Sequence, residues 1–226
     1  FWVGDGFDAQ DIAEGTYLKM IEQQVEYFFG IEPYKTYREY FNVHATIALS
    51  QESGIGTLNT LRDVKFHSTL ADCKTRMVVY PEQVEAYMAQ YSGASADVLS
   101  RSLVTVCLNT SLYEGVCYMY PGGAATAFCP LSTEAYPYDA RGIVQHEAGG
   151  HGFGKLGDEY IYHTAFIQTC SCGCCKHVAD LQDNLNMGWF RNLSLNGTYS
   201  QNEWKHLIFD DRYSDIVDIY EGGYFH

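Results

Sequence analysis

Residues 142–160 read GIVQHEAGGHGFGKLGDEY, and the rest of the chain is interpreted around this stretch. His146 and His151 bracket Glu147, Gly149-Gly150 lies between the histidines, Gly154 follows, and Asp158-Glu159 comes next. Residues 136–139 lead into a long helix that starts near Ala140. A residue advances about 100° around an α-helix, so positions i and i+4 lie roughly 40° apart and positions i and i+5 roughly 140° apart. On a regular helix the imidazoles of His146 and His151 therefore diverge. They converge only where the helix widens, and a π-bulge supplies that widening. Two mid-helix glycines, each costing about 1 kcal/mol relative to alanine, mark where it is expected.

Two histidines flanking a glutamate on one helix are the parts of a zinc-hydrolase helix. The imidazoles hold the ion and the carboxylate is a general base. The common spacing is H-E-x-x-H, and here it is H-E-x-x-x-H. The plainer alternative is that His146 and His151 are ordinary polar residues on a glycine-loosened helix. The combination of two histidines, an adjacent glutamate, a glycine after the second histidine and a downstream Asp-Glu pair favours the metal site.

Outward from this helix, residues 103–108 (LVTVCL) form a continuous apolar run, expected to be a central strand. Residues 115–120 and 124–129 flank Pro121-Gly122-Gly123, which predicts two short strands around a turn. Residues 81–91 read as a helix with Pro81 in its first turn. Residues 11–29 read as one amphipathic helix stopped at Gly30. Residues 40–50 (YFNVHATIALS) read as a buried strand in which His44 is a satisfied core histidine. Gly4-Asp5-Gly6 reads as a turn after an N-terminal strand. Residues 59–76 are loop-like, and periodicity is weak beyond Gly173. Strands alternating with helices predict an α/β fold. The 226 residues suit one domain over 1–226, read as a fragment trimmed at both ends.

Apolar residues make up 46% of the chain and charged residues 19%, which excludes a disordered chain. No apolar run approaches the length of a membrane span. The net charge of −14 would be repelled by phosphate backbones, so nucleic acid is excluded as a partner. The eight cysteines (Cys73, Cys107, Cys117, Cys129, Cys170, Cys172, Cys174 and Cys175) point to an oxidising compartment. The 170–175 cluster has the soft donors of a structural zinc site. Its spacing is not C-x-x-C, and vicinal cysteines make poor tetrahedral partners, so disulfides within the cluster or to the other four cysteines are the simpler reading.

GDGF at 4–7, FNVHATIALSQESG at 41–54 and above all QHEAGGHGFGKLGDEY at 145–160 resemble the IgA peptidase family, over essentially the whole chain. Those proteins are metzincin-like zinc metallopeptidases of the zincin clan MA, typically secreted or surface-attached in bacteria. The resemblance implies a metzincin-like zincin catalytic domain, with a mixed twisted sheet and an active-site helix. It also implies a Zn2+ cofactor and hydrolysis of extracellular protein or peptide substrates. The location it implies is secreted, periplasmic or cell-surface.

Carried over by residue, the resemblance makes His146 and His151 zinc ligands and Glu147 the general base, with Gly154 the glycine of the sharp turn after the helix. The third metzincin ligand would fall at Gly157, which has no side chain to offer. Asp158, a short carboxylate after a glycine turn, is the expected ligand. Glu159 is the reserve, or a residue that orients a ligand. Tyr160 and Tyr162 are candidates for the oxyanion partner by proximity, and packing on the helix is an equal reading of both. Met187 is either a methionine turn beneath the metal or a core residue, and the core role is expected. Two other functions compete. One is a non-catalytic adhesion or glycan-binding module on a degenerate peptidase fold, against which an intact Glu147 argues. The other is a zinc amidase acting on cell-wall peptides.

Overall fold

A computed structural model of the chain describes residues 1–71, 77–159, 178–215 and 217–220. Two compact units are formed, Phe1–Gly154 and Lys155–His226. In the first, the strands are β1 (Trp2–Asp5), β2 (Ala45–Thr46), β3 (Gly56–Thr57), β4 (Thr69–Leu70), β5 (Met77–Val78), β6 (Leu103–Leu108), β7 (Val116–Met119) and β8 (Ala125–Pro130). Its helices are α1 (Ala9–Ala13), α2 (Thr16–Phe28), α3 (Pro81–Tyr91), α4 (Ala96–Leu99) and α5 (Ala140–Ile143), the last running into a π-helical segment, Val144–Phe153.

Five strands build the main sheet in the order β2-β1-β6-β8-β7. The first four are parallel, and β7 runs antiparallel to β8 at the edge. A small sheet, β3-β4-β5, lies apart from it. The fold is thus α/β with a mixed sheet, as the alternation of apolar runs and helices predicts. Every residue of β1 and β8 is buried, because both faces of the sheet are covered. Trp2, Cys107, Ala127 and Cys129 point to one face and meet Tyr17, Ile21 and Phe28 of α2, together with Ile143, Val144 and Ala148. Val3, Val106, Leu108 and Phe128 point to the other and meet Val84 and Met88 of α3. The period-two alternation of the strands therefore seats α2 and the π-helical segment on the same face of the sheet.

Three polar groups lock the centre of this unit. The Tyr17 hydroxyl accepts the Gly4 N–H at 2.8 Å and donates to the Thr46 carbonyl at 2.6 Å, joining α2 to β1 and β2. Gln24 donates from α2 to the Cys129 carbonyl at 2.9 Å. Asp5, fully buried at the end of β1, accepts the N–H groups of Gly6, Phe66 and Ser68 at 3.0–3.2 Å.

Several expectations are corrected. The helix read over residues 11–29 is two helices, because Gly15 takes the left-handed conformation (φ +78°) between α1 and α2. Residues 40–50 do not form a buried strand. Only Ala45–Thr46 pair, with β1, and Val43, Ile47 and Leu49 are exposed. The composition suits a strand, but this segment lies at the outer edge of the sheet, with no further strand beyond it among the described residues. His44 is exposed rather than in the core, and stacks on Phe1 at 5.2 Å between ring centroids. The 59–76 loop contributes the short strand β4. Cys107, Cys117 and Cys129 are in no disulfide among the described residues, while Cys73, Cys170, Cys172, Cys174 and Cys175, to which the expected bridging also refers, lie outside them.

In the second unit, α6 (Val178–Asn186) and α7 (Lys205–Ile208) are joined by turns. Leu181 and Leu193 form a small core with Leu185 and Phe190. Met187 is 47% exposed, which removes the expected core role. It falls just past the end of α6, so it misses the face on which Leu181 and Leu185 are buried.

Candidate metal centre

Asp139 opens the helix that carries the candidate ligands. Its carboxylate accepts the Gly142 N–H at 2.8 Å, which caps the first turn. α5 lasts one turn, and the backbone then widens to π-helical bonding over Val144–Phe153. The widening expected around Gly149-Gly150 is present and is longer than a single bulge. It closes with the Gly154 N–H donating to the Gly149 carbonyl at 2.8 Å, an i→i+5 bond.

In i→i+5 bonding, residue i+5 stacks over residue i much as i+4 does in an α-helix. His146 and His151 accordingly face each other, with their Nε2 atoms 3.2 Å apart and the ring planes at 79°. Two nitrogens bound tetrahedrally to one zinc ion at about 2.0–2.1 Å stand about 3.3 Å apart, so the pair fits a shared ion. Among the described residues, His146, His151 and Asp158 form a group that could hold a metal, each offering one ligand atom within 4.8 Å of the others. Two imidazoles and a carboxylate are a donor set that suits zinc.

Asp158 follows a glycine whose position is set by packing and by Asn192. A Cβ on Gly157 would lie 2.5 Å from Leu193 Cδ1 and 2.9 Å from Phe190 Cγ, so a side chain there would displace this small core. Asn192 accepts the Gly157 N–H at 2.9 Å and donates to the Gly157 carbonyl at 2.8 Å. It also donates to the Glu159 carboxylate at 3.0 Å. Glu159 is thus turned to Asn192, and Asp158 is the carboxylate grouped with the histidines.

Glu147 is buried, 8% exposed, on the sheet side of the helix. Its carboxylate rests on the backbone just before β7, where a Cβ on Gly115 would lie 2.7 Å from Glu147 Oε1. The neighbouring Cys129 thiol is pushed well up by burial and, secondarily, by the negative charge of Glu147. It therefore stays protonated and does not compete as a nucleophile. Tyr160 and Tyr162, the oxyanion candidates, lie outside the described residues.

Sequence reasoning assigned no role to Tyr34 or Asn192 and did not single out Gly115. Each acts on a residue distant in sequence, and no local spacing announces that.

A family model described as IgA Peptidase M64 matches residues 1–172, more than half of the chain. No curated protein matches it.

Proposed function

Because the chain belongs to the IgA peptidase M64 family, we propose that it is a zinc-dependent endopeptidase with a metzincin-like catalytic domain, acting on extracellular protein or peptide substrates. The observation that carries this reading is the 3.2 Å approach of the His146 and His151 Nε2 atoms across a π-helical turn. His146, His151 and Asp158 are assigned as the zinc ligands and Glu147 as the general base. Bound there, zinc supplies a Lewis acid that polarises the scissile carbonyl and renders a water acidic near neutral pH. Glu147 takes the proton of the attacking water on its carboxylate and passes it to the leaving amine. Its burial against Gly115 holds that carboxylate in one place, which a base acting at a fixed distance requires. Among the described residues β7 is an edge strand of the main sheet, the kind of element along which an extended peptide substrate would lie.

A secreted, periplasmic or cell-surface location in a bacterium suits such substrates and an acidic chain. No helix among the described residues is long and apolar enough to cross a membrane. The test is hydrolysis of a casein-type substrate with and without a chelator, together with Glu147→Gln. The variant should keep its zinc and lose about 10²- to 10⁴-fold in kcat. Activity that survives chelation, or a near-normal Glu147→Gln enzyme, overturns the reading.

A further inference from the structure

The π-helical turn between the two histidines needs a reason to persist, since wide helical turns are rare and a regular α-helix is the default. The glycines lower the barrier to widening but do not select it. The Gly149 carbonyl lies midway between His146 and His151 and receives two donors. One is the Gly154 N–H at 2.8 Å, from within the segment. The other is the Tyr34 hydroxyl at 2.6 Å, from a residue 115 positions away in sequence. In α-helical register the same carbonyl would take the N–H of Phe153 instead.

Tyr34 is built into this place. Its ring packs on Phe28 at 4.5 Å between centroids, and on Phe153, at the end of the π-helical segment, at 5.6 Å. A Cβ at residue 149 would lie 3.2 Å from Tyr34 Cε2, so any side chain there would push the ring back by a few tenths of an ångström. At Gly150 a Cβ would meet nothing nearer than 3.7 Å. Of the two glycines, Gly149 is therefore the one on which Tyr34 packs closely. Burial also raises the Tyr34 phenol above its ordinary range, so it remains a protonated donor wherever the enzyme works.

We propose that Tyr34 is a positioning residue for the metal centre: its hydroxyl on the Gly149 carbonyl holds the wide turn and so keeps His146 and His151 convergent on one ion. This rests on the reading of the histidines as ligands. Tyr34→Phe keeps the ring and its packing and removes only the hydroxyl.

Two measurements test it. In competition with a chelator of known affinity, the zinc affinity of Tyr34→Phe should fall about tenfold, in the range typical of residues that orient metal ligands. The melting temperature of the metal-free protein should barely move. In amide hydrogen exchange on the metal-free protein, the Gly154 N–H should lose protection in the variant while the strands β6 and β8 keep theirs. Unchanged zinc affinity in a wild type that binds zinc overturns the proposal. So does a lower melting temperature without loss of affinity, which would mark Tyr34 as packing alone. If the wild type binds no zinc, the metal-centre reading fails separately. The exchange result then decides whether Tyr34 holds the turn, with unchanged protection at Gly154 counting against it.

Discussion

Replacing Gly115 with alanine puts a methyl group where the Glu147 carboxylate now rests. The added carbon would lie 2.7 Å from Glu147 Oε1, 3.0 Å from Cγ and 3.2 Å from Cδ. Unstrained carbon contacts lie at about 3.5–4.0 Å, so the carboxylate must retreat by about 0.5–1 Å. The backbone at 115 is not in the left-handed region, so alanine costs little in conformation there. Glu147 is itself buried, 8% exposed, so its carboxylate must move within the protein interior to make way. A displacement of about 1 Å in a reacting group can cost on the order of 10²-fold in rate. Gly115→Ala should therefore lower kcat by roughly 10- to 100-fold, while KM and zinc content stay near wild type because the ligands are untouched. The assay is steady-state hydrolysis of a peptide substrate with metal analysis of the same preparations. In a Glu147→Gln background the second substitution should add little, because the function it disturbs is already lost. A Gly115→Ala enzyme with kcat within about twofold of wild type, or full additivity with Glu147→Gln, would refute the reasoning.

Asp5→Ala leaves the N–H groups of Gly6, Phe66 and Ser68 without their buried acceptor. It should cost about 3 kcal/mol or more, read as a lower midpoint in denaturant. Burial raises the Asp5 pKa, so the folded state holds this proton more tightly than the unfolded state does. The associated stability is complete below the ordinary carboxylate value, near pH 4, and is lost as pH rises through the folded value. Denaturant melts from about pH 4 to 7 should show this decline in the wild type and a flatter profile in Asp5→Asn. Cys107 and Cys129 are fully buried and their thiols are pushed up by burial. Iodoacetamide should spare both in the folded protein and label both after unfolding without reductant. Mass spectrometry checks this, and an unfolded chain in which either remains blocked would show a disulfide instead.

The widened turn was readable in advance because it is a local matter. A five-residue interval between two ligands conflicts with the 100° step of an α-helix, and that conflict is contained in residues 146–151. The strand at 103–108, the β7–β8 hairpin and helix α3 were equally local, written as apolar runs and end signals. What the sequence did not contain was contact between distant segments. The apolar residues of 40–50 have strand composition, yet whether they are covered depends on a neighbour, and at this sheet edge the described residues supply none. That the Glu159 carboxylate is held by Asn192 depended on a residue 33 positions away in sequence. The seats of Glu147 on Gly115 and of Tyr34 on Gly149 are likewise steric fits between separate elements. A periodicity records which face of one element is buried. It carries no record of which atom on another element meets that face, because only the packed sheet and helix bring the two within contact distance.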